Sequence, residues 1–267
     1  MNSRTARIAA TFHLRRPERE ALLARLVASL RLDQRVAGVW LSGSTGRGDD
    51  DELSDLDLAV VVRDEACAEV VADRHAFVRQ VQGLILAQEA PAPHFAPPGG
   101  GFLLTLYEGQ QGPQEVDWTW RPLSSSLIPP QARLLFGSGG LSESLAVSSA
   151  EGQAPYPTIE NSVATFWAMA FITGKRIARG QSEQARLSLE TTHSLFETVR
   201  LEIARFQIGP ASTAGAGSGH SEIERLLQLV AHMDALGEAL RSVGYQPPQD
   251  AALSITQFLK LVRESLS

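Results

Sequence analysis

A mixed α/β domain followed by an all-α helical bundle is the fold class that the sequence predicts, on three observations. Short apolar runs separated by polar turns recur in the first half: Val36–Leu41, Leu56–Val62, Phe102–Tyr107 and Glu115–Trp120. Past residue 155 the apolar spacing changes to that of helices. Between the two lies Ser148–Pro157, SSAEGQAPYP, whose composition suits a domain boundary. The expected division is therefore 1–154 and 155–267.

Taken in order, residues 17–32 carry apolar side chains at helical spacing, and Pro17 suits a first turn. Val36–Leu41 is a strand, and Gly43-Ser44 supplies a tight turn and a capping hydroxyl for a short helix. Leu56–Val62 is almost continuously apolar, as a central buried strand would be. Asp64–Gln82 reads as one helix and Leu84–Ala87 as a short strand. APAPHFAPPGGG, residues 90–101, is a loop. Phe102–Tyr107 and Glu115–Trp120 form a strand pair turning through EGQQGPQ. In the second, Val116, Trp118 and Trp120 share one face, and Glu115, Asp117 and Thr119 the other. Residues 121–155 look irregular. Four helices follow: Thr158–Arg179, capped by Thr158 and stopped by Gly180, then Ser182–Phe206, Ser221–Val243 and Asp250–Leu266. ASTAGAGSGH, residues 211–220, is a flexible linker.

Composition narrows the function. The net charge is −6 with no basic run, which argues against binding duplex nucleic acid through its phosphates. The only cysteine is Cys67, so no intramolecular disulfide forms and no cysteine-based zinc site is expected. His94, His193, His220 and His232 show no ligand spacing. No run approaches the roughly 20 apolar residues of a membrane span, and the start lacks the apolar core of a signal peptide. The expectation is a cytoplasmic protein without a membrane partner. Of the 24 basic residues only Lys175 and Lys260 are lysines, which draws attention to a lysine kept within a helix.

The chemistry concentrates in VWLSGSTGRGDDDELSDLDLAVVV, residues 39–62. Asp55 and Asp57 are two apart at the start of a strand, so their carboxylates project together while Leu56 and Leu58 turn to the core. Two such carboxylates repel unless a divalent cation lies between them or one stays protonated. GSTGRG has neither the spacing of a dinucleotide-binding loop nor the ending of a P-loop. The acidic run Asp49–Glu52 reads as a solvated loop, and Ser54 as a cap for the turn before Asp55.

Gly43-Ser44, a spacer, then Ser54-Asp55-Leu56-Asp57-Leu58 resembles the nucleotidyltransferase signature of the DNA polymerase beta superfamily. The helical second half is similar to that of two-domain aminoglycoside and lincosamide nucleotidyltransferases. The resemblance implies two magnesium ions held by Asp55, Asp57 and a third acid on a later strand. Asp117 is the candidate, as metal ligand, general base or both, and Glu115 is its rival. It further implies that Gly43, Ser44 and Arg47 meet the phosphates of ATP or another nucleoside triphosphate. On the first bundle helix Glu160, Ala164, Trp167, Phe171 and Lys175 share a face. By the resemblance Lys175 reaches the triphosphate. The shared face itself places Glu160 to meet the substrate or serve as base, and Trp167 and Phe171 read as core.

The implied reaction moves a nucleoside monophosphate, AMP from ATP in the simplest case, onto a hydroxyl of a small-molecule acceptor such as an antibiotic. Pyrophosphate leaves. The alternatives are transfer to a protein or RNA end, as in antitoxin-type enzymes, and a catalytically silent nucleotide-binding module. All three acidic positions are filled, which weighs against the silent form. The oligomeric state is not readable from the sequence.

Overall fold

The computed structural model describes residues 3–89, 97–128, 131–137, 142–143, 158–206 and 221–267. It divides into two compact units. One, the sheet unit, comprises Leu14–Gly109 and Gln114–Pro155; the other, the helical unit, comprises Met1–His13, Gln110–Pro113 and Tyr156–Ser267. The expected loop over residues 90–101 is described only from 97, and the boundary segment 148–157 and the linker 211–220 lie outside the described residues.

The sheet unit holds α2 (Arg15–Leu32), β1 (Val36–Ser42), α3 (Gly43–Arg47), β2 (Leu56–Val62), α4 (Asp64–Ala72), α5 (Arg74–Arg79), β3 (Leu84–Gln88), β4 (Gly101–Tyr107) and β5 (Gln114–Pro122). After a single 3-10 turn come β6 (Leu127–Ile128), β7 (Arg133–Gly137) and β8 (Ser142–Glu143). Six strands form one mixed sheet in the order β3-β4-β5-β2-β1-β7. Only β2 and β5 run parallel within it; every other neighbour is antiparallel. The apolar run of β2 thus does hold a central position, with Leu56, Val60 and Val62 fully buried.

One face of the sheet packs against helices. Leu22, Leu26 and Leu30 of α2, Cys67 and Val70 of α4, and Phe77 and Val78 of α5 meet Leu41, Leu58, Trp118 and Trp120. Trp118 and Trp120 stack at 5.7 Å, and Phe77 stands edge-on to both. The Trp118 indole N–H donates to Thr105 Oγ1 at 2.9 Å, and the Tyr107 hydroxyl donates to the Val78 carbonyl at 3.1 Å. Both polar tips are therefore satisfied inside the core. Burial pushes the Cys67 thiol up, as suits an inert core residue.

Two expected elements differ. The single helix over 64–82 is two, because Asp73 leaves helical geometry at φ −101°, ψ 20° between α4 and α5. Residues 121–155 are not wholly irregular: β7 adds to the β1 edge. It is an exposed edge strand, Leu134 being 47 % accessible, so it carries no clear inward-outward alternation.

The helical unit contains α1 (Ser3–Thr11), α6 (Ile159–Arg179), α7 (Ser182–Phe206), α8 (Glu222–Ala235), α9 (Gly237–Ser242) and α10 (Gln249–Leu266). Thr158 caps α6 by accepting from the Asn161 amide at 3.1 Å, and Gly180 closes it in the left-handed conformation at φ 73°. The helix expected over 221–243 breaks at Leu236-Gly237 into α8 and α9; glycine is a poor helix former. At Gly174 a Cβ would lie 2.5 Å from Leu259 Cδ2, so the missing side chain sets how closely α6 and α10 approach. The N-terminal segment belongs here too: Phe12 packs on Phe258 at 5.3 Å, and Phe258 on Phe171 at 4.8 Å. Arg4 Nε donates to the Ala178 carbonyl at 2.8 Å, at the end of α6. Among the described residues no helix is long and apolar enough to cross a membrane.

Phe12 is fully buried against Phe258. Phe12→Ala is therefore expected to cost about 3–5 kcal/mol. Urea unfolding followed by helical circular dichroism would check this, and a loss below about 1 kcal/mol would show that the N-terminal segment is not part of the helical core.

Candidate active site

The parallel pairing of β2 and β5 sets the site. Asp57 stands directly opposite Asp117, and Leu56 opposite Val116. Neighbouring strands lie about 4.8 Å apart, so the two carboxylates leave the sheet side by side on one face. Across the sheet the same row runs through Gln88, Leu104, Asp117, Asp57 and Ser42. Asp55 precedes the first residue of β2, next to this row. Glu115 lies on the same face as Asp117, two residues earlier and opposite Leu106, and is buried.

Asp55 and Asp57 are held through their backbones. Thr45 Oγ1 donates to the Asp55 carbonyl at 2.7 Å, and Ser42 Oγ to the Asp57 carbonyl at 3.3 Å. The preceding loop is anchored from α2. Arg19, 1 % exposed, donates to the Ser54 carbonyl at 3.0 Å and the Asp51 carbonyl at 3.0 Å, and pairs with the Asp50 carboxylate. Arg15, fully buried, donates to the Glu52 carbonyl at 3.1 Å. Asp51 Oδ1 accepts from the Leu53 amide at 2.9 Å and the Ser54 hydroxyl at 3.0 Å, closing a local turn. The acidic run is thus only partly solvated: Asp50 and Asp51 are structural. Ser54 closes the turn before Asp55, as its position suggested.

Gly43 is tied to Asp57 by space. It has φ +64°, and a Cβ there would fall 1.8 Å from Asp57 Oδ2. Only glycine leaves room for that carboxylate. Ser44 does not cap α3. The helix starts at Gly43, and the Ser44 hydroxyl donates to Ser54 Oγ at 3.0 Å, which stitches α3 to the loop before Asp55. Arg47, partly exposed, pairs with Asp49 at 3.2 Å.

Asp55, Asp57 and Asp117 offer only carboxylate oxygens, the donor set that suits a hard divalent cation such as magnesium. The space that Gly43 leaves at Asp57 Oδ2 is consistent with such use. Among the described residues no three His, Cys, Asp or Glu side chains are gathered at metal-holding distance. What the backbone brings together is the Asp57–Asp117 pair, with Asp55 at the end of the loop.

In the helical unit Trp167 and Phe171 are buried, as expected of core residues, and Glu160 is exposed. Lys175 is 4 % exposed, with its ammonium 5.5 Å from the centre of the Phe171 ring, within cation–π range. A cavity of about 300 Å³ lined by Arg4, Ile177, Gly180, Ser182, Ser221 and Glu222 lies within this unit and includes none of the candidate catalytic, phosphate-binding or metal-binding residues. His193 and His232 lie on α7 and α8, and His94 and His220 outside the described residues.

Three substitutions test this architecture. Arg19→Met takes from Asp50 its buried partner and strands two carbonyls, and is expected to cost about 3 kcal/mol, whereas Arg16→Ala, at the exposed partner of the same Asp50, costs under about 1 kcal/mol. Gly43→Ala is expected to cost about 1–2 kcal/mol through its left-handed backbone, while activity falls at least a hundredfold because Asp57 is displaced. Denaturant midpoints alongside turnover check all three; equal midpoints for Arg19→Met and wild type would remove the anchoring role.

Comparison with known proteins places this geometry. Residues 23–90 match the family described as "Nucleotidyltransferase domain". No curated protein matches the chain. Among solved structures, the CdnE cyclic dinucleotide synthase of Elizabethkingia meningoseptica, described with GTP and Apcpp, is 12 % identical over 93 % of this chain and 92 % of its own, with a TM-score of 0.28. The STING-associated CdnE c-di-GMP synthase of Capnocytophaga granulosa is 10 % identical over 96 % of this chain and 80 % of its own, with a TM-score of 0.26. The matched segment runs from α2 through β3 and contains Gly43, Ser44, Asp55 and Asp57. This part of the chain, which carries the Asp55–Asp57 strand, is thus similar to a nucleotidyltransferase domain.

Proposed function

We propose that the chain transfers a nucleoside monophosphate from ATP or another nucleoside triphosphate to a hydroxyl of a small-molecule acceptor, releasing pyrophosphate. The observation that carries this reading is the register that sets Asp57 beside Asp117, with Asp55 at the entry to the same strand. Asp55, Asp57 and Asp117 would hold two magnesium ions, which when bound neutralise charge on the phosphates and on the entering and leaving oxygens. Asp117 accepts the proton of the acceptor hydroxyl. The freed oxygen attacks the α-phosphorus in line, a new phosphodiester forms, and pyrophosphate departs with the electron pair of the broken bond. Gly43, Ser44 and Arg47 lie at the turn after β1, where the β- and γ-phosphates are expected. Lys175 is assigned to the triphosphate on the family resemblance alone, and its test is kinetic. The net charge of −6 favours a small acceptor over a polyanion such as RNA.

The direct test is a screen of labelled ATP and GTP against hydroxylated acceptors, with mass spectrometry of any product. Asp55→Asn, Asp57→Asn and Asp117→Asn are each expected to lower turnover at least a hundredfold and to leave the thermal midpoint unchanged or raised, since like-charge repulsion is relieved. Glu115→Gln should stay within tenfold of wild type; the reverse ranking of Glu115 and Asp117 would reassign the third acid. Lys175→Ala is expected to raise the triphosphate KM or lower kcat by about ten- to a hundredfold, about 1.4 kcal/mol per tenfold, and Lys260→Ala to do neither. Chelation with EDTA should abolish turnover in every active variant.

A further inference from the structure

The same face of the sheet carries a charged group that this reaction does not yet use. Arg121 lies on β5 four residues beyond Asp117, so it projects from the same face about 13 Å along the strand. It is half-buried, and its Nε is buried with no hydrogen-bond partner among the described residues. Burial pulls its pKa below the usual arginine range, and no carboxylate among the described residues offsets that pull. The row it occupies contains Val61 on β2 and Gly38 on β1, neither of which can pair with a guanidinium. One row nearer the carboxylates, the half-buried Trp40 has its indole N–H buried and likewise unpartnered. Among the described residues, two donors without acceptors, Arg121 Nε and the Trp40 indole N–H, thus lie on one face, about 12 Å apart at Cα.

A half-buried cation with no counter-charge among the described residues costs stability, and where one is kept a ligand can supply the missing charge. Direction decides which ligand. Gly43 and Ser44 follow Ser42, which is opposite Asp57, so the turn assigned to the triphosphate lies on the N-terminal side of the carboxylate row in β2. Arg121 lies on the C-terminal side of that row. In-line displacement requires the acceptor to enter opposite the departing pyrophosphate. We propose that Arg121 binds an anionic group, phosphate or carboxylate, on the acceptor, so that the acceptor is a hydroxyl compound carrying negative charge on the order of 10 Å from its reacting oxygen. This rests on the nucleotidyl-transfer reading and adds the acceptor's charge to it. A planar guanidinium suits the paired oxygens of either anion.

The test uses the full chain with labelled ATP and magnesium, and acceptors in matched neutral and anionic pairs: adenosine with AMP, glucose with glucose 6-phosphate, and glycerol with glycerate. The last pair separates carboxylate from phosphate. Wild type is expected to favour the anionic member of at least one pair tenfold or more in kcat/KM. Arg121→Gln should bring the two members within twofold, and Arg121→Lys should keep part of the preference. In EDTA, where the metals cannot contribute, isothermal titration of pyrophosphate should weaken at least fivefold in Arg121→Gln. Arg121→Met should melt at or above the wild-type temperature, an outcome that a structural arginine would not give. Preference for the neutral members, a preference that survives Arg121→Gln, or a midpoint several degrees lower in Arg121→Met overturns the assignment. If no acceptor reacts, pyrophosphate binding that is equal in wild type and Arg121→Gln overturns it. The underlying reading is judged separately, by whether magnesium-dependent ATP binding is lost in Asp55→Asn.

Discussion

The parallel pairing of β2 with β5 is the constraint on which the site depends. Parallel strands cannot be joined by a tight turn. Between them the chain passes through α4, α5, β3 and β4. That excursion supplies the helices covering one face of the sheet, and it returns β5 in a register that puts Asp117 opposite Asp57. A slip of one residue would turn Asp117 into the core and bring Trp118 out. The register is held by Trp118 and Trp120, which stack on one another and take the Phe77 edge. The largest hydrophobic contacts of the unit therefore lie back to back with its most strongly charged row.

Placing carboxylates side by side opposes folding, and the surroundings counter this through backbone contacts. Arg15 and Arg19 take up carbonyls of the loop before Asp55, and Thr45 and Ser42 take up those of Asp55 and Asp57. These bonds locate the acids without neutralising them. Gly43 acts in the same sense by leaving room beside Asp57 Oδ2. Arg121 is the converse case, a cation on the same face whose Nε finds no partner among the described residues. On the function proposed above, bound metal and substrate supply charge of the opposite sign to each kind of group.

The helical unit is built by a different rule. Small residues let its helices approach, as at Gly174 against α10, and aromatic rings fill what remains, as at Phe12, Phe171 and Phe258. The first thirteen residues contribute to it although they precede the sheet unit in the chain. Lys175 sits within this apolar surrounding over the Phe171 ring, so its methylene stem contributes to packing as well as its charge.

The central strands, the mixed sheet, the helical second half and the Asp55–Asp57 pair were all legible in the sequence. Each is written in local periodicity: the run of β2, the alternation of β5, the Thr158 and Gly180 caps of α6. The strand that carries Asp117 was legible for the same reason. Its alignment with Asp57 was not, because register is decided between segments some sixty residues apart. The arginine anchor had left a trace, since Arg15 and Arg19 share the face of α2 that carries Leu22 and Leu26. Only the fold revealed that carbonyls of the acidic loop await them. β7 left no such trace, because an exposed edge strand needs no alternation. Local sequence determined which segments fold and which side chains share a face; the tertiary structure decided which faces meet, because pairing depends on contacts between segments distant in the chain.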